Sequence, residues 1–451
     1  MSLNQTKSEV VGQAAYPNVR GLQAMLARVR HVLGFFLALY LAFILLGSST
    51  IPALDAKDYR LSMQVAGWQF DLFSWEVQAI GQKIHAFFSQ PANALPAGTG
   101  PQLVHTYLAR ASQIQQMESQ LNKLYSTNPD HTTSEATDLQ KRLDELRVQQ
   151  TQDRPTVEQV IQRQIGQELV DSGLQVVGAP LPPVNFTFVE PPRKLVVSPR
   201  DHIETVYSEM LAPQIPLAQI ERSEQGIRKQ FDLSAYITNI GGLGAFPTMV
   251  VDRASLDWIL STVAHEWTHN YLAFFPLGFN YFASPDMTTI NETVAELVGN
   301  EIGDRALRRY YPEAVPPPTP PPAPTTAAPN KPTPEQPPEF DFDTEMRETR
   351  LKVDQLLAEG KVEEAEKYME ARRLVFVQHG YALRVLNQAY FAFHGSYGTS
   401  AASTSPIGPK LEKLHQLIPD LKTFLTTVRA MQSDADLDAA LAQWEKKDGS
   451  K

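Results

Sequence analysis

The residues best suited to chemistry lie in one short segment, STVAHEWTHNY, which runs from Ser261 to Tyr271. It contains His265, Glu266 and His269 in the order HExxH. On a helix, residues four positions apart lie on one face, so both imidazoles can reach a single metal ion. Glu266 is then placed beside a metal-bound water without being a ligand, which is the arrangement that a zinc hydrolase needs. Zn²⁺ is therefore the expected cofactor, and Glu266 the expected general base.

A third protein ligand is expected elsewhere, because catalytic zinc commonly takes three and leaves one position for water. The metzincin continuation of the motif is absent, since its Gly and His positions hold Leu272 and Phe275. The pattern after the motif instead predicts a second helix, with Ser284 as its N-cap and Pro285 in its first turn. The candidates for the third ligand lie on this helix.

Two carboxylates and two glycines share one face of that second helix. Glu292, Glu296, Gly299 and Gly303 follow one another at spacings of four, three and four residues. Most acidic helix faces are simply solvated. Glycines weaken a helix, however, and a face turned to solvent has little use for them. We therefore expect a neighbouring helix to approach this face closely, beside the carboxylates.

The segment HEWTH followed by NETVAE resembles the gluzincin metallopeptidases, the thermolysin-like clan, over residues 236–311. The resemblance implies a set of site roles: zinc ligands His265, His269 and Glu292, general base Glu266, and Glu296 as the carboxylate that orients a ligand histidine. It also implies a peptide or protein substrate. More loosely, the later segment LNQAYFAFHGSYG resembles the C-terminal part of bacterial predicted aminopeptidases.

The residues before the motif predict a small sheet. Apolar and polar residues alternate over residues 184–188, and further short strands are predicted at 195–197 and 236–240. The glycine-rich segment 241–247 follows directly, in a position similar to that of the substrate-binding edge strand of gluzincins. Two interpretations of it are open: an exposed edge that hydrogen-bonds an extended peptide, or a plain glycine turn.

The C-terminal part is predicted to be helical over residues 345–360, 361–390 and 411–441. Between the last two helices, the segment FAFHGSYG breaks the pattern and puts His394 and Tyr397 on a loop. Gluzincins draw the donor that stabilises the tetrahedral oxyanion from their C-terminal part. Tyr397 and His394 are therefore the candidates for that catalytic role.

Near the N-terminus, residues 32–54 form a charge-free, mostly apolar run that is about as long as a bilayer span. Basic residues are in modest excess before the run, which places residues 1–31 in the cytoplasm and the rest of the chain outside. The lipid bilayer is therefore an expected partner. A cleaved signal peptide is the alternative, although the leading polar segment is long for one.

Apolar residues also recur at helical spacing in two runs between residues 103 and 146, separated by a turn signal at 126–134. This pattern predicts an antiparallel helical hairpin. Its apolar stripe suits a helical partner or self-association, but a hairpin that packs on its own domain, or acts as a stalk, is the simpler interpretation.

Composition narrows the classes of function. The 451 residues carry a net charge of −10 at pH 7, and no long basic run is present, which argues against a nucleic-acid partner. The chain has no cysteine, so disulfides, thiolate ligands and cysteine nucleophiles are excluded, and zinc must be held by His and carboxylate. Residues 312–340 are dominated by proline and predict a disordered linker.

Together these patterns predict an α+β, predominantly helical protein with a zincin-like catalytic domain and a small mixed sheet. The expected segments are a cytoplasmic N-terminus (1–31), a transmembrane anchor (32–54), a hairpin or stalk region (55–175), a catalytic core (176–311), a linker (312–340) and a C-terminal helical part that completes the catalytic domain (341–451). The predicted function is a zinc metallopeptidase of a bacterial plasma membrane, with its catalytic domain outside the cytoplasm. The alternative is a membrane-tethered scaffold whose zincin-like domain is structural or inactive.

Overall fold

The computed structural model describes residues 56–89, 98–127, 134–315 and 340–449. These residues are predominantly helical and include two small three-stranded sheets, which confirms the predicted α+β class at that level. The short helix α1 (Lys57–Ser62) belongs to an N-terminal unit that ends at Met63, and a second unit begins at Gln64. A 3-10 turn covers Met63–Val65.

The predicted anchor at residues 32–54 and the segment before it lie outside the described residues. Within the part of the chain that is described, no helix is both long and apolar enough to cross a bilayer. The predicted linker at residues 312–340 is described only at its two ends, where Pro312–Ala314 forms a 3-10 turn.

Helices α2 (Leu72–Ser89), α3 (Thr99–Thr127) and α4 (Ser134–Asp171) precede the sheets. Arg110 of α3 pairs with Asp153 of α4, and Glu118 of α3 pairs with Arg147, so α3 and α4 run antiparallel. The outer part of the predicted apolar stripe lies between them and is formed by Ile114, Met117, Leu121, Ala136 and Leu143. The stripe is thus buried by the two helices of the hairpin itself.

The first sheet is antiparallel, in the order β3 (Tyr207–Leu211), β2 (Arg193–Pro199), β4 (Leu233–Asn239). Helix α5 (Leu217–Phe231) connects β3 to β4 and packs on β4. The second sheet has the order β1 (Phe186–Phe188), β6 (Thr248–Val250), β5 (Gly242–Leu243). In it β1 is parallel and β5 antiparallel to β6, so β5 is an outer strand.

Helices α6 (Leu256–Leu272) and α8 (Pro285–Tyr310), with the short helix α7 (Pro276–Phe279) between them, occupy the centre of the main core. The Ser284 side chain accepts a hydrogen bond from Met287 N at 3.2 Å, and Pro285 follows in the first turn, as predicted. Three C-terminal helices close this core: α12 (Ile407–Leu417), α13 (Leu421–Val428) and α14 (Asp434–Asp448).

Helices α9 (Phe342–Ala358), α10 (Val362–Gln378) and α11 (Gln388–His394) lie between these two parts of the chain. The prediction of one continuous helix over residues 361–390 is wrong, because α10 ends at Gln378. Gly380 has a φ of +91°, a left-handed conformation that ends a helix. The break frees α11 to pack on β2 and β4, which brings the segment after it close to the motif helix.

Candidate metal centre

The motif helix α6 and helix α8 pack against each other at two glycines. A Cβ atom on Gly299 would lie 2.8 Å from the Ser261 carbonyl oxygen and 2.9 Å from the His265 Cβ. A Cβ atom on Gly303 would lie 2.7 Å from the Ser261 backbone nitrogen. These distances are shorter than van der Waals contact, so a side chain at either position would push the helices apart. The expected close approach is confirmed, and the neighbouring helix is the motif helix itself.

This contact brings the three predicted ligands together. The Nε2 atoms of His265 and His269 lie 3.0 Å apart, and Glu292 Oε2 lies 3.6 Å from the first and 3.5 Å from the second. In a tetrahedral zinc site with bonds of about 2.0–2.1 Å, neighbouring ligand atoms lie about 3.3 Å apart. The three atoms are therefore spaced as zinc ligands, and the group is able to hold a metal ion.

The hydrogen bonding of Glu292 also favours a cation at this point. Its Oε1 atom accepts a hydrogen bond from the Tyr281 hydroxyl. Its Oε2 atom is buried, and no donor among the described residues forms a hydrogen bond with it. A buried carboxylate oxygen without a partner costs free energy. A metal ion bound between Oε2 and the two imidazoles would remove that cost, so the donor set is suited to a metal cation.

The ionisation of these groups depends strongly on their neighbours. Burial opposes the charge on Glu292, but His269 and His265 outweigh burial and hold the pKa of Glu292 well below its usual range. Burial also disfavours the charged form of His269, but Glu292 raises the pKa of His269 to about 9. Because an imidazole must be neutral to bind a metal, metal uptake here releases protons. Acidification is therefore expected to weaken metal binding.

Asn291 fixes the orientation of one ligand. His269 Nδ1 donates a hydrogen bond to Asn291 Oδ1 at 2.7 Å, which directs Nε2 to the metal position. Asn291 Nδ2 in turn donates to the Leu277 carbonyl oxygen at 3.2 Å. The gluzincin resemblance gave this orienting role to Glu296. In the structure Glu296 forms no hydrogen bond with either imidazole and instead accepts one from Thr399.

Glu266 lies beside the ligands and beneath the glycine-rich segment. A Cβ atom on Gly242 would lie 2.3 Å from Glu266 Oε1, and one on Gly244 would lie 3.4 Å from Oε2. The backbone thus passes directly over the carboxylate, and a side chain at residue 242 would displace the carboxylate of Glu266. Burial raises the pKa of Glu266, and its carboxylate forms no hydrogen bond with the described residues. These are properties that suit a general base.

The two C-terminal candidates lie in different surroundings. The ring centroid of Tyr397 is 6.3 Å from that of His265, and the charge of Glu292, with burial, raises the pKa of Tyr397 well above its usual value. Tyr397 is therefore a neutral phenol beside the ligands. The His394 ring lies 4.2 Å from Tyr390 in an aromatic cluster, and burial lowers its pKa to about 4. The structure brings Tyr397, and not His394, next to a ligand ring.

Three residues of the site carry no clear signal in the sequence. Asn291 directly precedes Glu292 in NETVAE, and its closeness to a predicted ligand was the one available indication. Tyr281 comes from the irregular connection between α7 and α8. Lys194 comes from β2, and the charges of Glu292 and Glu266 act on it, although it lies far from both in sequence.

Comparison of the chain with protein-family models, with curated proteins and with solved structures finds no match. The resemblance of the motifs to gluzincins therefore stays a prediction, and a functional proposal has to rest on the geometry of the site.

Proposed function

We propose that this chain is a zinc-dependent metallopeptidase of the gluzincin type. The observation that carries the proposal is the convergence of His265 Nε2, His269 Nε2 and the unpaired Glu292 Oε2 at the spacing of zinc ligands. A structural zinc site usually has four protein ligands, whereas the residues that the structure describes contribute three here. The fourth position is then available to water or substrate, which is typical of catalysis.

A zinc ion in this site supplies Lewis-acid chemistry: it polarises a carbonyl group and lowers the pKa of water. Glu266 then takes the proton of the attacking water and passes it to the leaving amine. Its raised pKa supports this role, because a carboxylate that takes up and releases a proton has to be more basic than an exposed one.

An extended peptide is the substrate that the outer strand β5 favours. Val251 N donates to the Gly241 carbonyl oxygen at 3.2 Å, so Gly241 faces β6. Because backbone groups alternate along a strand, Gly242 directs its N–H and C=O groups to the open edge. A peptide that pairs with this edge is held directly above Glu266. Of the two interpretations of the glycine segment, the proposal adopts the peptide-binding edge.

Tyr397 is the proposed oxyanion donor. It is a neutral phenol beside His265. Removal of one such donor commonly costs a factor of about 100–1,000 in kcat. Tyr397→Phe is accordingly expected to lower kcat in that range and to leave zinc binding intact.

On the sequence alone, we also propose that residues 32–54 anchor the chain in a bacterial plasma membrane, with residues 1–31 in the cytoplasm. The predicted scaffold function differs from this proposal in one measurable property, because a scaffold needs no metal. A stable protein that binds no zinc would favour the scaffold.

The experiment that tests the proposed enzyme measures zinc content and peptide cleavage on the same preparations. We expect one equivalent of zinc in the wild type and in Glu266→Gln, with cleavage of a mixed peptide library only by the wild type. His265→Ala is expected to lose both zinc and cleavage. Retention of full activity by Glu266→Gln would refute the assignment of the general base, and zinc-independent cleavage would refute the metallopeptidase.

A further inference from the structure

Lys194 lies on the face of the first sheet that helix α11 covers. It lies on β2, paired with Thr238 of β4, on the same face as Tyr236. Helix α11 packs on this face, where the Tyr236 ring contacts Tyr390. The Lys194 ammonium lies 5.6 Å from the centroid of the Phe393 ring. The side chain is thus held between the sheet and the segment that carries Tyr397.

A short path of neighbours connects Lys194 with the candidate metal centre. The ring of Phe393 lies 6.4 Å from that of Tyr397, which lies 6.3 Å from that of His265. The charges that act on Lys194 are consistent with a position near the candidate metal centre. Burial lowers the pKa of Lys194, and the charges of Glu292 and Glu266 act in the opposite direction. The ammonium is therefore close enough to both carboxylates to interact with them.

Lys194 nevertheless has no acidic partner among the described residues. Within the described residues, no acidic group lies within 4.0 Å of its ammonium, and the side chain forms no hydrogen bond. By contrast, Lys83, which is also partly buried, pairs with Glu158 at 2.6 Å. A partly buried cation without a counter-ion is costly. In its charged form, Lys194 is thus an ammonium without a carboxylate partner, beside a site that is proposed to bind peptides.

We propose that Lys194 binds a carboxylate of the substrate, and so selects peptides with a negative charge close to the bond that is cleaved. The inference rests on the proposed peptidase function and adds a substrate class to it. Two sources supply the same chemistry: the C-terminal carboxylate of a short peptide, or the side chain of an Asp or Glu residue. A neighbouring aromatic ring and low local hydration strengthen such an ion pair relative to one in water.

The test measures binding by the zinc-loaded Glu266→Gln protein, so that cleavage does not interfere. The probes are tetrapeptide libraries in three forms: neutral side chains with a free C-terminal carboxylate, the same peptides as C-terminal amides, and amides that contain one Asp or Glu. Lys194→Met is made in this background, because Met preserves the length and the apolar contact with Phe393. Lys229→Met, at an exposed position on α5, removes the same charge elsewhere and is the control.

We expect the Glu266→Gln protein to bind one of the carboxylate forms about 10- to 100-fold more tightly than the neutral amides, the effect of one charged hydrogen bond. Lys194→Met should abolish this preference and leave amide binding and zinc content unchanged, and Lys194→Arg should restore part of it. The Lys229→Met control should keep the full preference. The form that is preferred identifies the source of the carboxylate.

Equal affinity for the acid and amide forms in the Glu266→Gln protein would overturn the proposal without any Lys194 variant. A Lys194→Met protein whose affinity falls equally for the acid and the amide peptides would also overturn it. That result would indicate a structural or oxyanion-stabilising role for Lys194. If no peptide form is bound by the zinc-loaded protein or cleaved by the wild type, the peptidase function itself fails, and the Lys194 site fails with it.

Discussion

Two carboxylates, the buried Glu292 and the partly buried Glu366, show two different uses of a negative charge in this protein. Glu366, on α10, accepts four hydrogen bonds of 2.8–2.9 Å from Arg200 and Arg228. Each arginine donates one to each carboxylate oxygen of Glu366. Glu292 accepts one hydrogen bond from Tyr281, and its second oxygen faces two imidazole nitrogens without a hydrogen bond. The first site is closed by protein donors, whereas the second has room for a cation.

The pKa values of Glu366 and Glu292 do not distinguish the two sites, because both are lowered. Burial raises the pKa of Glu366, but the two arginines outweigh it and hold the value at about 2. The pKa of Glu292 is also well below its usual range. What distinguishes them is the set of partners of each oxygen, because four guanidinium donors satisfy Glu366 completely. The carboxylate that stabilises the fold and the one proposed to bind a metal therefore differ in hydrogen-bond completeness rather than in ionisation.

The largest expected effect is on zinc binding. Glu292→Gln removes a ligand charge but retains an acceptor for Tyr281, and we expect zinc affinity to fall more than about 100-fold, beyond the loss from an outer-shell change. Zinc should raise the melting temperature of the wild type and not that of this variant. Glu366→Gln is the matched control and should keep one equivalent of zinc. Wild-type affinity in Glu292→Gln would contradict the ligand assignment.

The next largest effect concerns the helix contact that positions Glu292. Gly303→Ala places a Cβ atom 2.7 Å from backbone atoms of Ser261, and we expect a loss of about 3 kcal/mol in the free energy of unfolding. Gly81→Ala, in α2, is the control because a Cβ there has no atom within 4 Å, and it should stabilise by about 0.5–1 kcal/mol. Denaturant unfolding measures both. Equal effects of the two substitutions would mean that the glycine contact does not determine the packing.

A smaller effect, with a defined pH dependence, is expected for Glu366. Glu366→Gln should cost about 2 kcal/mol at neutral pH, because hydrogen bonds to charged donors are lost. The folded-state pKa is depressed, so the ionised Glu366 stabilises the protein above the unfolded value near 4.5, and this contribution disappears as the pH falls to about 2. Unfolding of wild type and variant at several pH values, with chelator present, measures the difference. A difference that stays constant over this range would refute the arginine assignment.

The sequence predicts the parts of the site that local geometry determines. The HExxH spacing places His265 and His269 on one helix face, and the Ser284 cap fixes where the second helix begins. The glycines on the Glu292 face predict a close helix contact, which the structure contains. Each of these inferences needs only the helical period and the properties of single residue types.

The remaining parts depend on tertiary packing and carry no local signal. The packing of α8 against α6 places Asn291, and not Glu296, in hydrogen-bond contact with an imidazole of the motif, and the residue pattern of one helix does not show how its partner packs on it. Lys194 and Tyr281 reach the site from a strand and from an irregular connection. The break after Gln378 was also missed, because apolar spacing continues through Gly380.

The smallest expected effect is the change in zinc affinity when Asn291 no longer orients the His269 ring. Asn291→Ala leaves all three ligands in place but frees the His269 ring to rotate, and we expect zinc affinity to fall about 10-fold. Asn291→Asp keeps the acceptor and should recover most of the affinity. Glu296→Gln, five residues further along the same helix, should change it less than about twofold, since Glu296 accepts a hydrogen bond from Thr399. The opposite order of effects, with Glu296 the more important, would restore the role that the gluzincin resemblance implies.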